Sequence, residues 1–223
     1  MPEINLLQQK VLKLFKDSTL KDQFYWTGGT LLSAMYLHHR QSKDLDFFSD
    51  KAFAYSQVLT FVLRLKDKLK LTEVEQIKIF DRYEFFLHNK ETLRLEFVFY
   101  PYPRLKARNQ RQGIYIDSLD DIAANKAMAF FDRNDPKDLF DLYFILKKKR
   151  YKVSRLLVLV KKKFGVEFAE STFWSECYKS FNELTNLKPL LLVETPKAKD
   201  KIIKEVKDYF INQSTRFLHR IIE

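Results

Sequence analysis

Trp26-Thr27-Gly28-Gly29-Thr30, followed by Ser42-Lys43-Asp44-Leu45-Asp46-Phe47-Phe48, is the stretch on which the reading of this chain turns. Phe24-Tyr25-Trp26 reads as a short strand entering the glycine pair, and Leu31 to Leu37 as a buried helix leaving it. Leu45 to Phe48 read as the next strand. Side chains two apart on a strand leave from the same face, so Asp44 and Asp46 hold their carboxylates side by side. Two such anions repel unless a cation lies between them. Oxygen-only ligands with phosphate nearby suit Mg²⁺. Glycines let the backbone approach a phosphate closely, and the helix beginning near Thr30 turns free N–H groups towards it. The two segments together read as a nucleotide and metal site. The bland alternative is a solvated acidic turn, which the apolar Leu45, Phe47 and Phe48 argue against.

Working outward, residues 4–17 repeat apolar groups at helical spacing, and Tyr55 to Leu69 form a second amphipathic helix. From Leu71 the period changes: Leu71–Phe80, Arg82–His88 and Thr92–Tyr100 are three strand-like runs, closed by Pro101 and Pro103. Beyond Ser118 the chain turns helical. Ser118-Leu119-Asp120-Asp121 resembles a capping box with Asp at its fourth position, and Asp135-Pro136 is a cap followed by proline at the first helical residue. Helices are expected near 119–132, 136–149, 151–164, 167–184 and 199–221. Strands in the first half and helices in the second make an α+β arrangement: a mixed-sheet module over 1–117 and a helical part over 118–223.

The 223 residues carry 40 Lys and Arg against 29 Asp and Glu, a formal net charge of +11. That surplus favours a polyanionic partner such as RNA or DNA, or simply aids solubility. The tract Lys147-Lys148-Lys149-Arg150-Tyr151-Lys152 through Arg155 to Lys161-Lys162-Lys163 has no acidic residue, and reads equally as an RNA backbone track or as a solvated face. A single cysteine, Cys177, excludes an internal disulfide and fits a reducing cytoplasm. No apolar run approaches the ~20 residues needed to span a bilayer. His38-His39 could suggest zinc, but no cysteine lies near and His88 and His219 show no ligand spacing. His39 reads instead as a local hydrogen-bonding residue.

Two further groups stand out by their surroundings. Glu96 interrupts the otherwise apolar strand Leu93-Arg94-Leu95-Glu96-Phe97-Val98-Phe99, where a charge needs a partner or a metal. The ordinary explanation is pairing with Arg94 on the same strand face. Lys126 lies among alanines and apolar residues, where a lone ammonium is costly. A triphosphate would supply its counter-charge. A structural bridge to Asp138 or Asp141 would do so too.

Gly28-Gly29-Thr30, then His39-Arg40-x-Ser42-x-Asp44-Leu45-Asp46-Phe47-Phe48, resembles the signature of the AbiEii/AbiGii-type nucleotidyltransferases, which include type IV toxins and MenT-type toxins. These belong to the DNA polymerase β-like nucleotidyltransferase superfamily. Asp121-Ile122 through Lys126 to Arg133, Lys137-Asp138 and Asp141 resembles the same family's downstream motifs. The resemblance covers most of residues 24–146 and implies a polymerase β-like core followed by a helical bundle that completes the active site. It assigns Asp44 and Asp46 to Mg²⁺, with Mn²⁺ as an alternative. Glu96 matches its third carboxylate, as general base and metal ligand, although aspartate is commoner there. Lys126 and Asp138 complete the catalytic set, with Asp141 as the alternative to Asp138. Gly28, Gly29, Thr30, Arg40 and Lys43 join Lys126 in nucleotide binding, Thr30 through a hydrogen bond to a phosphate oxygen.

The expected activity is transfer of a nucleoside monophosphate from an NTP to RNA, with a tRNA 3′ end as acceptor. The expected setting is the toxin half of a toxin–antitoxin or abortive-infection pair, cytoplasmic, with a cognate antitoxin and no membrane association. Two other readings compete: nucleotidylation of a protein or small-molecule hydroxyl, and a non-catalytic nucleic-acid-binding protein with a decayed site. The intact Asp44, Asp46, Glu96 and Lys126 count against the last.

Overall fold

In the computed structural model of the chain, residues 3–222 are described. They form two compact units, one running to Ile122 and one from Ala123 onward.

The first unit opens with α1 (Leu6–Lys16), whose first turn is closed by a reciprocal cap: Gln8 N–H donates to the Asn5 side chain and Asn5 N–H donates to Gln8 Oε1, both at 2.8 Å. β1 (Tyr25–Thr27) follows, then α2 (Gly28–Leu31), which widens into a π-helical turn over Leu32–Leu37. His38, left-handed at φ 51°, ends that turn. β2 (Asp44–Ser49), α3 (Tyr55–Leu69), β3 (Glu73–Ile79), β4 (Arg82–His88) and β5 (Thr92–Phe99) come next. β6 (Asn109–Arg111) and β7 (Ile114–Ile116) close the sheet, whose order is β3-β4-β5-β2-β1-β7-β6. It is mixed: β2 runs parallel to β5, β1 parallel to β7, and the other neighbours are antiparallel.

Strand alternation divides the sheet into two unlike faces. Leu45, Phe47, Phe85, Leu87, Leu93, Leu95 and Phe97 are buried on one face. Phe15 of α1 stacks on Phe47 at 3.9 Å between ring centres, and Phe61 of α3 meets Phe97 edge-on at 6.2 Å. Each such ring contributes about 1.5–3 kcal/mol by leaving water. Asp44, Asp46, Arg94, Glu96 and Glu84 stand on the opposite face, so the same strands that make the core also present the charged groups.

The β6–β7 hairpin was not expected from the sequence. Its strands have three residues each, β6 is polar and exposed, and the turn depends on Gly113 at φ +80°. Hydrophobic periodicity carries no signal over so short a span.

The second unit is helical. α4 (Leu119–Arg133) begins in the first unit and continues into it. α5 (Pro136–Lys148), α6 (Val153–Phe164) and α7 (Glu170–Lys179) follow, then a 3₁₀ stretch Glu183–Leu190 and the long α8 (Pro196–Ile222). The helix expected over 167–184 is thus shorter, and Pro189 lies within the 3₁₀ segment that succeeds it. Phe130, Phe140, Phe173 and Phe210 are fully buried in this unit. Gly165 stops α6 in the left-handed conformation at φ +72°. Among the described residues no helix is long and apolar enough to cross a membrane.

Candidate active site

The glycine turn and the aspartate strand meet through β1 and β2, which pair antiparallel with Thr27 opposite Asp46. Gly28 takes φ +77°, and a β-carbon on it would lie 1.7 Å from Asp46 Oδ2. The missing side chain is therefore filled by the carboxylate. Gly29 is crowded more gently, by the far end of Arg40 at 2.9 Å and Ser42 Oγ at 3.3 Å.

The lead-in to β2 is pinned from two helices. Thr30 is fully buried and its hydroxyl donates to the Asp44 carbonyl. Gln8 of α1 donates through Nε2 to the Ser42 carbonyl at 2.9 Å. The hydroxyl of Thr30 thus fixes the main chain of the first aspartate, where the sequence expectation had it on a phosphate. Ser33 donates to the Arg40 carbonyl and lies 3.4 Å from His39 Nδ1, so buried His39 supports this loop locally. Arg40 is buried and donates to the Gln41 carbonyl at 3.0 Å; Lys43 is exposed. His38 is held by Glu3 at 2.8 Å.

On the charged face β2 and β5 set Asp44 opposite Arg94 and Asp46 opposite Glu96, while β4 sets Glu84 opposite Glu96. Arg94 bridges the strands: Nη2 reaches Asp44 Oδ2 at 3.0 Å and Nη1 reaches Glu96 Oε1 at 2.8 Å. Glu84 Oε2 lies 3.9 Å from the same Nη1. Arg82 approaches Glu84 at 3.4 Å and Glu96 at 3.8 Å. Glu96 is only 5% exposed while Arg94 is half-buried, so the acid of this pair is shielded and its cation faces the edge of the site. Burial pushes its carboxyl above the ordinary range, against the lowering by Arg94 and Arg82; Glu84 and Asp44 add to the rise. The Arg94 guanidinium is held charged by Glu96 and Asp44 despite its own burial.

Glu84 escaped the sequence reading. Its signal was an acid between Tyr83 and Phe85, which gains meaning only once the β4–β5 register sets it beside Glu96. Asp117 was missed as well. It is 1% exposed, accepts from the Thr27 hydroxyl at 2.9 Å, and extends the Thr27–Asp46–Glu96–Glu84 row on the sheet.

Among the described residues no three His, Cys, Asp or Glu side chains gather in an arrangement that could hold a metal. Asp44 and Asp46 nonetheless fit Mg²⁺. This ion is held by one or two carboxylates plus phosphate and water, not by a closed protein cage. The packing of Asp46 into the space left by Gly28 fixes its carboxylate in place.

In the helical unit Lys126 is clamped between two fully buried carboxylates, with Nζ at 2.8 Å from both Asp138 Oδ1 and Asp141 Oδ2. Arg133 adds a 2.8 Å contact to Asp138. Both aspartates that the sequence offered thus contact the lysine. Burial raises the Asp138 pKa, but Lys126 and Arg133 together outweigh it and hold the carboxyl below its usual value. Asp135 caps α5 through the Lys137 N–H at 2.8 Å, with Pro136 next in the helix. Ser118 and Asp121 make the expected cap of α4, and Asp121 also accepts from the Leu105 and Lys106 main chain at 3.0 and 3.2 Å.

The sequence profile described as "Nucleotidyl transferase AbiEii toxin, Type IV TA system" matches residues 10–210. The chain belongs to the AbiEii nucleotidyltransferase toxin family. An uncharacterized protein of Aquifex aeolicus, aq_aa25, is 31% identical over 179 residues, covering 76% of this chain and 80% of the relative. Among solved structures, JHP933 from Helicobacter pylori superposes with a TM-score of 0.59 at 19% identity, covering 96% of this chain and 93% of that one. A second H. pylori protein, provisionally assigned as a nucleotidyltransferase, gives 0.59 at 21% identity over 95% and 94% of the two chains. At such identities the two structures speak for the fold. The AbiEii chain is a nucleotidyltransferase, and its family is that of a type IV toxin–antitoxin system.

Proposed function

We propose that this AbiEii-family toxin transfers a nucleoside monophosphate from an NTP to the 3′ end of tRNA in a Mg²⁺-dependent reaction. The observation that carries the reading is the Asp44–Asp46 pair on one strand face, with Asp46 packed into the space of Gly28. Asp44 and Asp46 are the proposed ligands of the ion, and Glu96 is the third acid. When bound, Mg²⁺ neutralises phosphate charge and orients the triphosphate. The terminal hydroxyl oxygen forms a bond to the α-phosphorus as the bond to pyrophosphate breaks. The hydroxyl proton is assigned to Glu96, whose raised pKa suits a proton acceptor.

Main-chain N–H groups of the Gly28-Gly29 turn are the proposed phosphate contacts, with Arg40 and Lys43 contributing charge; Thr30 acts through the Asp44 main chain. Lys126, oriented by Asp138 and Asp141, is the proposed cation for phosphate oxygens. The RNA acceptor is supported by the net charge of +11 and by the exposed Lys147–Arg150, Lys152, Arg155, Lys161 and Lys162. Lys163 does not belong to that surface, being 4% exposed.

The test is incubation of the protein and its Asp46→Ala variant with total bacterial tRNA, Mg²⁺ and each α-³²P-labelled NTP. Label entering tRNA with the wild type alone is the expected result. Label in no RNA with any NTP removes the tRNA acceptor, and label in a protein band replaces it with a protein hydroxyl.

A further inference from the structure

The nucleotidyltransferase site gathers Asp44, Asp46, Glu84 and Glu96 on one sheet face, and three of them, Asp44, Glu84 and Glu96, already contact arginine. Glu84 and Glu96 are 7% and 5% exposed and stand directly opposite each other on β4 and β5. Two buried carboxylates so placed need compensating positive charge. Arg82 and Arg94 supply it.

Arg94 has a second contact of a different kind. Its two guanidinium nitrogens span Glu96 Oε1 and Asp44 Oδ2, at 2.8 and 3.0 Å, so one rigid cation links the third acid to the first aspartate. Those two oxygens, one on each of two neighbouring parallel strands, are the donors that a second ion beside one on Asp44 and Asp46 would need. In two-metal sites the ions lie about 3.5–4 Å apart and share an acidic ligand. A guanidinium cannot leave such a position by losing its proton. Moving away would also strip Glu96 of its closest arginine and Glu84 of its contact at 3.9 Å, leaving Arg82 at 3.4 Å from Glu84 and 3.8 Å from Glu96.

We infer that Arg94 takes the place of a second metal ion, so that the site binds a single divalent cation on Asp44 and Asp46 and Glu96 is no metal ligand. The inference rests on the proposed metal role of the two aspartates. It gives Glu84 a task as well: it is the positioning residue that, with Glu96, keeps Arg94 in place.

The experiment counts Mn²⁺ bound to the full chain without nucleotide, from the loss of the free-ion paramagnetic resonance signal. One ion per chain is expected for the wild type and two for Arg94→Met, with circular dichroism confirming that the variant is folded. Glu96→Gln should leave Mn²⁺ affinity within about twofold, while Asp46→Asn should weaken it by about tenfold or more. Two ions on the wild type overturn the inference. So does a folded Arg94→Met that still binds one, or a Glu96→Gln that loses affinity as Asp46→Asn does. If Arg94→Met does not fold, the wild-type count and the Glu96→Gln affinity decide between the two outcomes. No Mn²⁺ on the wild type at all overturns the metal role of Asp44 and Asp46 itself, a result distinct from a count of two.

Discussion

A β-carbon on Gly28 would lie 1.7 Å from Oδ2 of Asp46, so the glycine of the turn and the aspartate of the strand share one space. The relationship explains why the two segments, eighteen positions apart, pack as one unit. The turn must lack a side chain for the carboxylate to stand where it does.

Gly28→Ala should therefore cost about 2 kcal/mol or more, from a left-handed φ forced on alanine and from the clash. Transfer should fall with it, because Asp46 must move. Gly29→Ala is expected to be milder, since its nearest obstacle is the flexible end of Arg40. Urea denaturation of the two variants in parallel checks the contrast, and equal losses would refute it.

Thr30→Val keeps the shape and removes the hydroxyl that donates to the Asp44 carbonyl. A loss of about 1 kcal/mol is expected, with kcat lowered more than KM for the NTP because the aspartate strand is less firmly held. Thr30→Ser should restore both. A raised KM with unchanged stability would instead place the hydroxyl on phosphate.

Lys126→Met leaves Asp138 and Asp141, both fully buried, without their shared cation. Removing one partner of such a buried cluster costs about 3–5 kcal/mol. Combining it with Asp138→Asn and Asp141→Asn should recover most of the stability and none of the activity. Recovery of both by the triple variant would make Lys126 purely structural.

Asp138 gives the protein an acid limit. Its folded pKa lies below the ordinary 3.8, because Lys126 and Arg133 outweigh burial. The unfolded chain then takes up this proton first as pH falls, so the stabilisation is full above the unfolded pKa and is lost as pH drops through the folded one. Asp138→Asn should lower stability at about pH 7, and the gap to wild type should close towards about pH 3. A gap constant across that range would contradict the ion-pair account.

The strands around the site were legible because their side chains alternate strictly: Asp44 and Asp46 outward, Leu45 and Phe47 into the core. Caps were legible for a similar local reason, as at Ser118–Asp121 and Asp135–Pro136. Glu96 and Lys126 were recognisable as charges in apolar surroundings, but their partners were not fully assignable. Glu84 looked like any strand acid, and Gln8 like any helix-surface amide, until strand register and helix docking brought them to Glu96 and to the Ser42 carbonyl.

The longer strands and helices, the α+β class, the glycine turn and the two aspartates were thus determined by the sequence alone. They depend on interactions a few residues long, which periodicity and capping chemistry record directly. Only the tertiary structure decided that Asp46 fills the space of Gly28, that Arg94 joins Asp44 to Glu96, and that Lys126 answers to two aspartates at once. Those contacts are set by register between distant strands and by packing between helices, and a charge acquires its partner only when the chain has brought the two together.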